Sequence, residues 1–217
     1  MTKQNTYVFT DLHGCCSKFK TLVSKLDLKE EDTLIFLGDY VDRGAEVKDT
    51  IQTLIDLSNK YRCIFLEGNH EVYFKDYLKF RNNNSIWLHP ANGGNKTLDS
   101  YRDPLTGELD IPTTHLEFLH SLLLYYETDD YFFVHAAVPR KSLKDITPDD
   151  YSYMQWERSD FIGTEYKWDK MIIHGHTPIK EATIYPNRIN IDTGAVYGVD
   201  RYLTCLKLPD LTFITSA

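Results

Sequence analysis

One stretch constrains this chain more than any other: Ile35-Phe36-Leu37-Gly38-Asp39-Tyr40-Val41-Asp42-Arg43-Gly44. Its apolar run has the length of a buried strand, and the glycine and aspartate that end it put a second aspartate, an arginine and another glycine onto a loop. Strand ends of this kind are where α/β proteins keep their chemistry. Two carboxylates and a guanidinium beside an apolar strand are costly to desolvate, and metal ions or anionic ligands are the usual compensators.

The same pattern recurs along the chain. Apolar runs end at Asp11-Leu12-His13-Gly14, at Gly68-Asn69-His70-Glu71, at His135-Ala136 and at His174-Gly175-His176. If the chain stays extended, Asp11 and His13 point to the same side. Taken singly, none of these is decisive, because a lone strand-end histidine is more often a core or capping residue. Together they predict parallel strands of one sheet ending on one edge, where their side chains converge. Mixed Asp, His and Asn ligands suit a pair of divalent ions better than a closed structural zinc site.

Strands and helices alternate in the first half. The periodicity predicts strands over 6–10, 33–37 and 63–66, and helices over 15–26, 46–58 and 72–80, an order that implies parallel strands. Residues 81–114 are punctuated by Asn82-Asn83-Asn84, His89-Pro90, Asn92-Gly93-Gly94-Asn95 and Asp103-Pro104, as expected of a cap or substrate-side loop. A helix or helix-to-strand passage is predicted over 116–124 and a hairpin over 125–134. Strands follow over 171–174, 182–185, 188–191, 202–208 and 212–215.

A length of 217 residues fits one domain, taken here as residues 1–217. The net charge of −8 argues against a nucleic-acid or anionic-membrane surface. With no apolar signal-peptide core before Tyr7 and no run long enough to span a bilayer, a cytoplasmic protein is expected. Cys15, Cys16, Cys63 and Cys205 lack CxxC spacing and are expected to be reduced, mostly buried thiols.

These motifs resemble those of the calcineurin-like metallophosphoesterases, and more narrowly the phosphoprotein phosphatases of bacteria and phages. The matching elements are Asp11-x-His13-Gly14, Gly38-Asp39-x-x-Asp42-Arg43-Gly44, Gly68-Asn69-His70-Glu71, His135-Ala136 and Gly175-His176-x-Pro178, in the family's order. Asn92-Gly93-Gly94, Trp156-x-Arg158 and Ile191 to Gly198 match as well. The resemblance implies a four-layer αββα sandwich, with central mixed sheets and flanking helices. It also implies two metal ions: one held by Asp11, His13 and Asp39, the other by Asp39, Asn69, His135 and His176. Mn is expected to support activity in vitro, and the ligand types also admit Fe, Zn, Ni and Mg.

By the same resemblance His70 is the general acid, Asp42 orients it, and Arg43 and Arg158 clamp the phosphoryl oxygens. Two ions about 4 Å apart would direct a shared hydroxide in line at phosphorus. Asn92 is a weak candidate for substrate contact. In the wider superfamily this last motif is Gly-His-x-His with both histidines as ligands. Here Pro178 takes the second position, so His176 is the implied ligand and His174 is an extra residue that either orients a ligand or packs at the strand end. His89, His115 and His120 match no motif and are expected to be structural or exposed.

The expected activity is that of a phosphomonoesterase acting on phosphorylated Ser/Thr, with dual specificity as an extension and small phosphoesters as further substrates. The same-fold alternative is a symmetrical diadenosine tetraphosphate hydrolase. Such enzymes typically lack an Asp in the position of Asp42 and carry Asp in the position of Glu71. A remote alternative is a non-catalytic metal-binding regulatory module. No nucleic-acid or membrane partner is expected.

Overall fold

A computed structural model describes residues 4–81 and 85–217, so the predicted break at Asn82-Asn83-Asn84 lies outside the described residues. The chain forms two five-stranded sheets, as the expected αββα sandwich requires. The first sheet has the order β10-β9-β1-β2-β3. Its strands are β1 (Thr6–Phe9), β2 (Thr33–Phe36), β3 (Arg62–Phe65), β9 (Thr204–Leu208) and β10 (Thr212–Thr215). The second has the order β4-β5-β6-β8-β7. It contains β4 (Tyr125–Glu127), β5 (Tyr131–Val134), β6 (Met171–His174), β7 (Thr183–Ile184) and β8 (Arg188–Asn190).

Period-two alternation explains the layering. Along β1 and β2, Tyr7, Phe9, Leu34 and Phe36 face one core, while Val8 and Ile35 face another. The first core is shared with α1 (Cys16–Ser24), α2 (Val47–Ser58), α3 (Asn69–Phe80), α4 (Gly94–Tyr101) and α5 (Thr113–His120). The second lies between the sheets, where Val8, Ile35 and Leu206 meet Phe133, Ile173 and Ile189. Phe132, Val134 and Ile172 face outward onto a third core with α6 (Tyr151–Trp156) and α7 (Ser159–Ile162). Each such fully buried side chain contributes roughly 1.5–3 kcal/mol. The result is the expected order of helices, sheet, sheet, helices.

β1, β2 and β3 pair in parallel, as do β5, β6 and β8. β4 and β5 form the predicted antiparallel hairpin. The ligand-type strand ends therefore arrive from two sheets, and the expectation of one sheet edge is corrected in that respect. α3 begins at Asn69, three residues before the predicted start. Glu71 sits in its first turn and accepts the backbone N–H of Gly68, which caps the helix end and draws Asn69 and His70 into it. The helix α4 was not legible behind Gly93 and Gly94.

Candidate metal centre

The loops after the strands are bound to one another before any side chain is considered. Beyond β1 and β2, backbone N–H groups of Asp11, His13 and Gly14 donate to the carbonyls of Gly38, Asp39 and Tyr40 at 3.1, 2.9 and 3.0 Å. Here the chain is not extended: Asp11 and His13 have φ of 45° and 42°, and Asp39, Asp42, Arg43 and His176 are also left-handed. Each such residue costs about 1–2 kcal/mol, and concentration at one place is a mark of a functional site. Gly175 is required by close approach, since a Cβ there would meet the Asp11 carboxylate and the Thr10 side chain.

Glu71 holds the Gly38-to-Val41 loop in place. Its buried carboxylate accepts the N–H groups of Asp39 (2.8 Å), Tyr40 (2.8 Å), Val41 (3.2 Å) and Gly68 (3.0 Å). Burial and the nearby Asp39 push this carboxyl up, while the backbone N–H bonds oppose that rise and favour the charged acceptor, whose bonds are among the stronger ones in proteins.

Three imidazoles are oriented by backbone carbonyls. His13 Nδ1 lies 2.7 Å from the Val41 carbonyl, His135 Nδ1 2.9 Å from that of Leu37, and His176 Nε2 3.2 Å from that of Trp156. A carbonyl only accepts, so each of these nitrogens carries the proton and the other nitrogen of each ring presents a lone pair. Burial pushes His176 down to about 2, with His135 adding to it, and burial together with Arg43 pushes His13 well down. Both shifts favour the neutral ring.

The lone pairs converge on Asp39. Its Oδ2 is 3.4 Å from His13 Nε2, 3.5 Å from His135 Nε2 and 4.0 Å from His70 Nε2. His135 Nε2 is also 3.0 Å from His176 Nδ1 and 3.1 Å from Asn69 Oδ1. Two imidazole lone pairs facing each other at that distance repel unless a cation lies between them. The donor set therefore fits divalent metal ions, and Asp39, His135 and His176 form one group able to hold one.

On the other side of Asp39 the grouping differs from expectation. His13, Asp39 and His70 approach as a ligand-like trio. Asp11 instead directs Oδ2 to the Thr10 hydroxyl and, at 2.9 Å, to the backbone N–H of His176. Burial and the nearby Asp39 raise the Asp11 carboxyl, and a cation held beside it would oppose that rise. Arg43 places Nη1 against His13 Nε2, so loading an ion at His13 requires the guanidinium to swing off that nitrogen.

His70 Nδ1 is 2.6 Å from Asp42 Oδ2, the pairing expected from the sequence. What the sequence did not reveal is how Asp42 is held. Trp87 Nε1 donates to Oδ2 at 2.7 Å, the Thr97 hydroxyl donates to Oδ1 at 2.6 Å, and the Asp42 N–H donates to Thr97 Oγ1 at 2.9 Å. Burial pushes the Asp42 carboxyl up, and the hydrogen bonds from His70, Thr97 and Trp87 oppose that rise. The irregular segment after α3 is thus the support of Asp42.

The remaining candidates lie at the edge. Arg158 is exposed and donates to the His176 carbonyl and, at 3.4 Å, to Thr177 Oγ1. Asn92 gives its side-chain N–H to the Ile86 carbonyl at 2.8 Å, bracing the turn that carries Trp87. His174 is buried against Phe161 with ring centroids 4.9 Å apart, and its Nε2 has no hydrogen-bond partner among the described residues. That placement favours packing over the orienting of a ligand. His115 is buried between Tyr101 and Gln52, while His89 and His120 are exposed, and all four cysteines are free.

A sandwich of two mixed sheets whose strand ends deliver imidazoles and carboxylates to one buried spot is the architecture of a metal-dependent hydrolase. The family profile for calcineurin-like phosphoesterases matches residues 5–214, and the chain belongs to that family. It is similar to the asymmetrical bis(5'-nucleosyl)-tetraphosphatase PrpE of Anoxybacillus flavithermus, at 29% identity over 96% of this chain and 92% of the relative. The protein of the same name from Bacillus cereus (strain Q1) is 30% identical over the same shares.

Among solved structures, one provisionally assigned as a diadenosine tetraphosphatase has a TM-score of 0.72 at 18% identity, covering 99% of this chain and 93% of its own. The cold-active protein tyrosine phosphatase of a psychrophilic Shewanella species scores 0.65 at 15%, covering 99% and 80%. A serine/threonine phosphatase from Saccharomyces cerevisiae scores 0.60 at 14%, covering 98% and 78%. These likenesses establish the fold. No helix among the described residues is long and apolar enough to cross a membrane.

Proposed function

We propose that this chain is a two-metal phosphomonoesterase whose preferred substrates are phosphorylated serine and threonine side chains, with aryl phosphates and phosphotyrosine as further substrates. Asp11, His13 and Asp39 would hold one divalent ion, and Asp39, Asn69, His135 and His176 the other. Divalent ions held by these residues, Mn among them, would supply charge against phosphoryl oxygens and acidify a bound water. Arg43 and Arg158 offer forked donors to the phosphoryl oxygens that remain.

The observation that carries this reading is the buried His70–Asp42 pair, supported by Trp87 and Thr97. His70 would donate a proton from Nε2 to the departing oxygen, while Asp42, bonded to Nδ1, keeps the ring oriented for the transfer. A departing alkoxide is far more basic than a departing phosphate, so an ester of serine or threonine needs such an acid and a phosphoanhydride does not.

A second reading is favoured by the relatives that bear the name asymmetrical tetraphosphatase over nearly the whole chain. It is cleavage of a dinucleoside tetraphosphate away from its midpoint, beside the symmetrical cut that the sequence alone suggested. A side-by-side assay of a phosphoserine peptide, an aryl phosphate and diadenosine tetraphosphate with added Mn(II) decides between them. Faster release of phosphate from the peptide and aryl ester supports the monoesterase. Cleavage of the dinucleotide far above both would overturn it, and the nucleotide products would identify the cut.

A further inference from the structure

The motif Gly194-Ala195-Val196-Tyr197-Gly198 has no part in the metal centre, yet it meets the residue on which phosphoryl binding rests. The guanidinium of Arg43 lies over the Tyr197 ring, with Cζ 5.4 Å from its centroid. Its Nη1 lies against His13 Nε2, and its buried Nε has no hydrogen-bond partner among the described residues. The Arg43 backbone is fixed from another side. Its N–H donates to the Gly93 carbonyl at 3.3 Å, and a Cβ at Gly93 would meet the Arg43 main chain.

Tyr197 is itself held in advance. Lys18 Nζ donates to the carbonyls of Ala195, Gly198 and Arg201 at 2.8, 2.8 and 2.7 Å, so one ammonium gathers the loop on both sides of Tyr197. Tyr197 is 56% exposed, and it stands in no core cluster. A half-exposed aromatic on a pinned loop costs the fold little, and it offers the Arg43 guanidinium a flat, electron-rich face.

From this arrangement we propose that Tyr197 is a positioning residue for Arg43. With an ion held at His13, the lone pair that Arg43 contacts would be taken, and the face of Tyr197 would keep the guanidinium at the site with its donors free for phosphate. This rests on the reading of Arg43 as a phosphoryl anchor. The aromatic face, not the phenol hydroxyl, does the holding.

The test is calorimetric titration of inorganic phosphate into the metal-loaded full chain, for wild type, Tyr197→Leu, Tyr197→Phe, Arg43→Ala and the Arg43→Ala/Tyr197→Leu double variant. Tyr197→Leu is expected to weaken phosphate binding about three- to tenfold, the scale of a cation–π contact. Tyr197→Phe is expected to bind within about twofold of wild type, because the face survives. With Arg43 removed, Tyr197→Leu is expected to have no further effect.

Equal weakening by Tyr197→Leu in both backgrounds would overturn the proposal. So would an unchanged affinity, or a Phe variant as weak as the Leu variant. If Arg43→Ala leaves phosphate affinity intact, Arg43 is no anchor and the proposal falls with it. A wild type that binds phosphate through Arg43 and Tyr197 but hydrolyses no ester would refute the proposed activity and leave the positioning role standing.

Discussion

His135 Nε2 and His176 Nδ1 face each other at 3.0 Å, each ring having committed its other nitrogen to a backbone carbonyl. That relationship separates His176 from its near neighbour His174, whose ring lies against Phe161. His176→Ala is expected to lose one bound ion and on the order of 100-fold in turnover, whereas His174→Ala keeps both ions and loses less than about tenfold. Metal analysis and steady-state rates check this, and equal losses would contradict it.

His70→Asn tests whether His70 is an acid or a ligand. Its Nε2 stands 4.0 Å from Asp39 Oδ2 while its Nδ1 is bonded to Asp42 at 2.6 Å. The variant is expected to retain metal and to lose about 10²–10⁴-fold in turnover of alkyl esters. The loss for an aryl phosphate, whose leaving group is less basic, should be smaller. Loss of metal would make His70 a ligand, and equal losses on both esters would remove the acid role.

A pH effect is expected from His115, away from the metal centre. Burial, with the charge of Lys48 adding to it, pushes its imidazole down. Its ring bonds Tyr101 at 2.8 Å and Gln52 at 3.0 Å. The unfolded chain takes up this proton below about pH 6.5 and the folded chain only at lower pH. Stability from this group is therefore whole above that range and is lost as pH falls from it towards the lowered folded value. Urea midpoints between pH 7 and 5 should fall less steeply for His115→Leu than for wild type, and parallel slopes would contradict this.

Glu71→Ala leaves four backbone N–H groups of the Asp39 loop and α3 without their acceptor. Bonds to a charged acceptor contribute about 1.5–3 kcal/mol each in favourable cases, and their losses are not additive at one site. A destabilisation of about 3 kcal/mol is expected in urea unfolding, with reduced metal occupancy because Asp39 is no longer held. A loss under about 0.5 kcal/mol would mean that the loop holds itself.

Much of the site was legible because its residues follow apolar runs of strand length. Asp11, Asp39 and His135 stand immediately beyond or close to the ends of β1, β2 and β5, and periodicity located those strands to within a residue or so. Period-two patterning does not say which strands share a sheet, so the two-sheet sandwich was legible only through the family resemblance, and the cores on either side of Val8 and Ile35 show how it is layered. Nor did it show that Asp11 and His13 turn left-handed, since that turn is imposed by the bonds to Gly38 and Asp39. Trp87 and Thr97 lie 45 and 55 residues from Asp42, in a segment whose Gly and Pro content reads as loop, and nothing local marks them as its support. The early start of α3 did have a signal in Glu71, which caps it from within.

Asp39 belongs to both candidate ligand groups and is proposed to join two ion sites. The most direct measurement is metal content of the full chain after loading with Mn(II) and removal of free ion, for wild type and for Asp39→Ala, alongside ester hydrolysis. Two ions per wild-type chain are predicted, with activity rising as the second binds, and the variant is predicted to lose affinity at both sites and to be inactive. Full activity with a single ion, or a variant that still binds two, would contradict the account.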